Sequence, residues 1–316
     1  MIPLGICSYL MLSAKRSHHK LFLLFRPVSQ SGKKKEIRAF FPCREYNKPV
    51  RGGWRMILAI DIGNTKIVFG IMDEKSIHFS CRLATDRYKT SDEYQVLLKS
   101  LLEVHHVDPS RIEGSILSSV VPALKKTMAD AVEALTGKHC MIVGPGLKNG
   151  LKIRIDNPAQ LGSDRVADAV GALAEYRKPI LIFDMGTATT FSVIDKQGEY
   201  RGGMIMPGAV IGLDALASMT SQLPQISLTE KPSGLIGTNT VDSMRSGLIY
   251  GNAAMLDGIV ERVRDELGEM PSVVATGEFS SLIVPYCRQN VRLDQNLLLK
   301  GLRVIYLRNR RDGRNE

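Results

Sequence analysis

The chain has 316 residues, 44% hydrophobic and 23% charged, with a formal net charge of +10. These are globular values for a length that suits about two domains, and no run of about 18 apolar residues predicts a transmembrane helix. The positive charge is local: residues 1–55 carry 12 Lys+Arg against 2 Asp+Glu, while the other 30 basic residues are matched by 30 acidic ones. The body therefore gives no reason to expect a nucleic-acid partner. Five scattered cysteines form no Cys-x-x-Cys or Cys/His cluster, which argues against a zinc site and for free thiols in the cytoplasm.

Residues 1–55 read as a basic leader. Its apolar start is short, and Lys15, Arg16 and Lys20 follow it, whereas a signal peptide carries its charge in front. A targeting peptide and a basic tail are both open readings. A third is favoured. Met56 opens a strand directly, and Arg51-Gly-Gly-Trp-Arg55 requires G-rich codons just upstream, as a bacterial ribosome-binding site read as protein would. The expectation is a natural start at Met56, with the leader disordered or never made.

Residues 57–73 run apolar residues into Asp61-Ile-Gly-Asn-Thr65, then β-type residues, then a turn Asp. Residues 180–195 repeat the pattern around Asp184-Met-Gly-Thr-Ala-Thr189, with Asp184 lying 123 residues after Asp61. Each predicts strand, tight turn, strand. Gly63 and Gly186 suit a turn that approaches a ligand closely. Thr65, Thr187, Thr189 and Thr190 offer hydroxyls to phosphate oxygens, and Asp61 and Asp184 end strands where a cation or its water can sit. Either copy alone could be an ordinary hairpin, the less favoured reading; the recurrence favours function further.

Between the hairpins, residues 92–105 predict an amphipathic helix with Tyr94, Val96, Leu97, Leu101 and Leu102 on one side. Residues 115–121 predict a strand, 122–135 a helix opened by Pro122, and 141–143 a short strand. Asp156-Asn-Pro and Gly162-Ser-Asp-Arg165 are turn chemistry opening a helix at about residues 166–176. There Ser163 or Asp164 suits a helix cap; the functional alternative has Asp164 taking a proton from a substrate hydroxyl beside an anion-binding Arg165. After the second hairpin, residues 200–209 read as a glycine-rich loop whose N–H groups can line a pocket. Helices are expected at 211–219, from about Thr240 as a cap, at 255–267 and at 297–307. Residues 272–277 predict a strand running into a glycine, with a frayed tail after 308. Strands alternating with helices give an α/β fold. The two hairpins facing across a cleft would form a phosphate clamp, with Asp61 orienting a nucleotide's magnesium and Asn64, Thr65 and Thr187 holding phosphate oxygens. There is no Walker A motif, no kinase His-Arg-Asp and no dinucleotide Gly-x-Gly-x-x-Gly after the first strand.

These motifs, together with Gly203-Met-Ile-Met-Pro-Gly208 and Asn239-Thr240, resemble in order and spacing the type III pantothenate kinases, over about residues 56–308. The resemblance implies the actin-like/sugar-kinase ATPase fold, with ribonuclease-H-like domains at 56–175 and 176–308 and a cleft between them. It implies ATP-dependent phosphorylation of pantothenate to 4′-phosphopantothenate, the first step of coenzyme A synthesis. By position, Asp61, Ile62, Gly63, Asn64, Thr65, Lys66, Ile67 and Val68 look like the ATP phosphate loop, with Thr187 a second ATP contact. Gly162, Ser163, Asp164 and Arg165 look like the pantothenate site, with Asp164 the proton acceptor. Asp184 looks like the ligand of a monovalent cation, K⁺ or NH₄⁺, and Thr240 like a substrate contact supplied across a homodimer interface. ATP with Mg²⁺ is the implied cofactor. Two residues depart from the family pattern. Ser163 stands for the usual alanine, and Glu278 for the second glycine of Thr-Gly-Gly, where strain or crowding of the adenosine is the expectation. The alternative function is a weak or inactive homologue serving as a regulator. A sugar or acetate kinase would require different acceptor-site residues.

Overall fold

The computed structural model describes residues 55–228 and 230–310 in full and, before them, the backbone of three strands. The chain divides into two compact units, Met1–Pro49 and Val50–Glu316. In the first, β1 (Tyr9–Ser17), β2 (Lys20–Pro27) and β3 (Ile37–Phe40) form an antiparallel sheet in that order. The rest of the leader, Trp54 included, and the tail after residue 310 lie outside the described residues.

The second unit repeats one topology. Its first half holds β4 (Met56–Ile62), β5 (Lys66–Met72), β6 (Ile77–Ala84), α1 (Ser91–Val104), β7 (Ile112–Ser119), α2 (Pro122–Thr136) and β8 (Cys140–Ile142). After β9 (Lys152–Ile153) and α3 (Ser163–Glu175) come β10 (Ile180–Met185), β11 (Ala188–Ile194), β12 (Glu199–Pro207), α4 (Ala209–Met219) and α5 (Thr240–Leu267). The chain closes with β13 (Ser272–Thr276), α6 (Ser280–Ile283), β14 (Val291–Leu293) and α7 (Leu297–Asn309). One sheet runs β6-β5-β4-β7-β8 and the other β12-β11-β10-β13-β14, with β9 added beside β12. In each, an antiparallel meander of three strands is extended by two parallel strands on the far side of the first. These are the two ribonuclease-H-like sheets of the actin-like/sugar-kinase ATPase fold. Because β9 pairs in parallel with β12, residues 152–153 belong to the second sheet although they precede α3.

The central strands are buried on both faces, which is why they read as unbroken apolar runs. All seven residues of β4 are buried. Met56, Leu58, Ile60 and Ile62 pack with Leu98 and Leu102 of α1 and Leu124 and Met128 of α2. Ile57 and Ala59 face the other way, onto Val166 and Val170 of α3 and Leu302 and Ile305 of α7. In the second sheet Leu181 and Phe183 meet Leu256 and Val260 of α5, while Ile180 and Ile182 meet Ala169 and Ala172 of α3. The layers therefore run helices, sheet, α3 with α7, sheet, helices. A helix shared by two sheets needs apolar or small residues all round, and Val166 to Ala172 of α3 are all buried.

Three elements differ from expectation. On α1 the buried positions are Tyr94, Leu98 and Leu102, one per turn, whereas Val96 projects to the opposite side at 64% exposure. Residues 199–207 are a strand rather than a loop, so their N–H groups are committed largely to the β11 ladder. The segments expected around Thr240 and at 255–267 are one 28-residue helix. Its cap is Asn239, whose Oδ1 accepts from the N–H of Asp242 at 2.9 Å.

α3 and α7 cross at glycines: a Cβ on Gly301 would sit 1.8 Å from the Ala167 carbonyl oxygen, and one on Gly171 would sit 2.5 Å from that of Leu297. Gly301→Ala gains about 1 kcal/mol of helix propensity. Pushing two buried helices apart costs about 1–3 kcal/mol or more. The clash is with backbone that cannot rotate away, so net destabilisation is expected. A lower urea midpoint for Gly301→Ala is the check; an unchanged or higher midpoint would reject the close crossing.

Candidate active site

Asp61 and Asp184 occupy equivalent places, each the penultimate residue of its sheet's central strand. Asp61 lies across from Val68 on β5 and Ser118 on β7, and Asp184 across from Thr190 on β11 and Thr276 on β13. Ligands of α/β sheets collect at such carboxyl ends. The two hairpin turns touch: the hydroxyls of Thr65 and Thr187 are hydrogen-bonded at 2.8 Å. Between them lies a cavity of about 230 Å³ whose lining includes Asp61, Gly63, Asn64, Thr65, Lys66, Val68, Asp164, Asp184 and Thr187. Ile62 and Ile67 flank the turn, but their side chains are fully buried in the core, leaving only their backbone to a ligand.

The helix α3 delivers the third carboxylate. Its N-cap is Gly162, with no side-chain cap, so neither Ser163 nor Asp164 serves as one. The Ser163 hydroxyl accepts from Ser118 Oγ and the Ser119 N–H, both at 3.0 Å, and donates to the Ser119 carbonyl at 3.2 Å. It thus ties the start of α3 to the end of β7. A Cβ on Gly162 would lie 2.3 Å from Asp164 Oδ1, so the glycine makes room for that carboxylate. Arg165 turns away from the cavity: its guanidinium donates to Ser192 Oγ at 3.3 Å and the Phe191 carbonyl at 3.1 Å, above the ring of Tyr200.

A fourth carboxylate, Asp168, lies one helical turn beyond Asp164 and lines the same cavity at 2% exposure. Its spacing of four from Asp164 was a legible signal for one helix face, yet nothing in the local motif marked it. Arg82 on β6 and Gln295 before α7 also join the lining, brought in by tertiary pairing alone. Asp61 Oδ1 and Asp168 Oδ1 are buried with no hydrogen-bond partner. Burial, then repulsion from Asp164, pushes the Asp61 carboxyl up to about 7. Burial and Asp164 likewise raise Asp184 to about 7, with Arg165 opposing. Burial raises Asp164, which the Arg165 N–H and charge partly restrain. Asp168 is raised well above its ordinary value by burial and then by Asp184, Asp164 and Asp61. The lining holds five carboxylates, with Glu278, against the two cations Lys66 and Arg82. Such a site suits a bound cation: hard oxygen donors, orphaned and short of positive charge. Among the described residues no three acidic, His or Cys side chains group closely enough to hold a metal by themselves.

Thr240 is elsewhere. It is exposed at the start of α5 and lines a separate cavity of about 760 Å³ with Gly212, Leu213 and Leu216 of α4. Leu216 in that lining is 42% exposed, and Met219 at the end of α4 and Ile236, next in the chain to Gly237 of the lining, are 84% and 83% exposed.

A carboxyl raised on folding contributes most to stability below its ordinary value of 3.8 and costs stability as pH climbs through the folded value. The ligand-free protein is therefore expected to lose thermal stability between about pH 4 and pH 7. Asp61→Asn removes the charge that is buried at neutral pH, so its melting temperature should exceed that of the unaltered chain near pH 7.5 and converge with it near pH 4.5. Calorimetry at the two pH values decides this; no gain near pH 7.5 would mean the carboxylate is compensated in the fold.

The family model for type III pantothenate kinase matches residues 57–262. The type III pantothenate kinase of Brevibacillus brevis is 43% identical over 258 residues, covering 80% of this chain and 99% of that protein. That of Geobacter sulfurreducens is 41% identical over 255 residues, 81% of this chain and all of that protein. A Campylobacter jejuni crystal structure, named for the Baf family of transcriptional activators, aligns with a TM-score of 0.50 at 18% identity. It covers 80% of this chain and 98% of that one, a likeness of fold alone.

Proposed function

The chain belongs to the type III pantothenate kinase family, and as a pantothenate kinase it uses ATP with a divalent metal; from that premise we propose how its residues divide the work. Asp164 is the catalytic residue and accepts the proton of the pantothenate hydroxyl as the phosphoryl group arrives. The observation that carries this is its burial between the two hairpins, which makes its carboxylate more basic than a free aspartate's. Asp61, with an unpartnered buried oxygen, is the residue that holds the divalent ion or its water on the nucleotide. When bound, that ion neutralises phosphate charge in a cavity otherwise rich in carboxylates. The Asp61–Val68 turn and Thr187 hold the phosphates, Ile62 and Ile67 through backbone only. Asp184 holds a monovalent cation, K⁺ or NH₄⁺, a role supported by its burial in the cavity among other carboxylates.

Pantothenate is placed by the start of α3, Gly162 to Arg165. Ser163 is compatible with this because its hydroxyl is spent on β7 rather than projected at the substrate. Arg165 serves either by swinging from Phe191 and Ser192 to an anionic group or by holding β11 beside Asp164. Thr240 reaches a substrate only across a homodimer, a reading supported by its exposure among apolar residues that a single chain leaves uncovered. Among the described residues no helix is long and apolar enough to cross a membrane, and the cytoplasm, with its supply of ATP, is the proposed location. The halves 56–175 and 176–308 act as the two jaws, with β9 and α7 crossing between them.

The reading is tested by ADP release with Mg·ATP and pantothenate in potassium and then sodium buffer. Pantothenate-dependent turnover, faster in potassium, is expected; equal rates would remove the monovalent cation from Asp184, and no turnover from folded protein would remove the kinase reading. Asp164→Asn should lower turnover by about 10²-fold or more while ATP affinity stays unchanged. A variant as active as the parent would take Asp164 out of the proton transfer.

A further inference from the structure

The mouth of the cavity is tied across by two contacts between the halves. One is the Thr65–Thr187 hydrogen bond. The other is an ion pair between Lys66, the first residue of β5, and Glu278, two residues past β13. Glu278 is not strained. The left-handed backbone in this loop is at Gly277, with φ +85°, where a Cβ would meet Asp184 Oδ1 at 2.4 Å and the Met185 nitrogen at 2.6 Å. The conformational demand thus falls on Gly277, and Glu278 adds only a side chain.

That side chain reaches one of the two cationic groups in the lining, Lys66 and Arg82. Resting on the reading of this cavity as the nucleotide site, we propose that Glu278 sets nucleotide affinity by competing with the triphosphate for Lys66. With the pair formed, the cavity is about 230 Å³, below the roughly 300–1,000 Å³ of most small-molecule sites. An entering nucleoside triphosphate must open the pair, take the ammonium with its own oxygens, and leave the carboxylate to solvent. The Lys66 and Glu278 side chains are 42% and 44% exposed, so the exchange needs no rearrangement of the core. A half-exposed pair is also weak enough to be displaced, and its effect is screened by salt.

The test is calorimetric titration of the full chain with Mg·ATP and, separately, with uncharged adenosine. Glu278→Gln keeps the shape and removes the charge. It should tighten Mg·ATP by about 2- to 5-fold at low salt, lose most of that gain in about 0.5 M salt, and leave adenosine affinity unchanged. In a Lys66→Met background, which weakens ATP binding, the same change should give little further gain. Unchanged or weaker ATP binding by Glu278→Gln overturns the proposal while leaving the nucleotide site intact. An equal tightening of adenosine overturns it in favour of simple crowding. Failure of the unaltered chain to bind Mg·ATP at all overturns the nucleotide reading and the proposal together.

Discussion

The carboxylates of Asp61, Asp164, Asp168 and Asp184 share one small buried space. Burial out of reach of water raises all four, and the like charges of their neighbours push Asp61, Asp168 and Asp184 further in the same direction. The rest of the body is arranged so that this unfavourable cluster persists. Asp61 and Asp184 are fixed on strands with neighbours on both sides, and Asp164 and Asp168 on a helix buried all round. None can swing out to solvent, so protons or bound cations must settle the charge. A phosphate-transferring site gains from this, because cations and phosphates arriving together replace a costly state with a satisfied one.

The shared topology of the two sheets is the means. Each presents the same turn after its central strand, and α3 and α7 hold the sheets at the spacing where those turns touch. The spacing depends on small residues at the α3–α7 crossing, Gly171 and Gly301. The hydroxyl of Ser163 fixes the start of α3 to the end of β7, at Ser119, the residue that follows the strand position beside Asp61. Departure from the family's alanine is thus absorbed as an extra tether between helix and sheet.

The second departure has a different character. A glycine serves two ends, unusual φ and close approach, and at residues 277 and 278 only the first residue meets either demand. Glu278 is free to be a glutamate, and its charge is paired with Lys66 across the cavity. The pair is half-exposed, whereas Asp61 and Asp168 of the same lining are buried.

Much of the fold was legible because its signals are local. Apolar runs, the Asp-x-Gly turns and the Pro122 helix start follow from neighbouring residues, and the recurrence of the hairpin announced two related halves. Asp61, Asp164, Asp184, Thr65 and Thr187 were found because each sits inside such a motif, and they do line one cavity. Asp168, Arg82 and Gln295 carry no local signature; they belong to the site only because α3, β6 and the approach to α7 are folded onto it. The placing of β9 in the second sheet, the turn of Arg165 toward Phe191 and the separation of Thr240 from Asp164 were likewise decided by tertiary structure. The physical reason is range. Backbone geometry and burial patterns act over a few residues and are written in sequence order, whereas charge repulsion, ion pairing across a cleft and close helix crossing join residues tens to hundreds of positions apart.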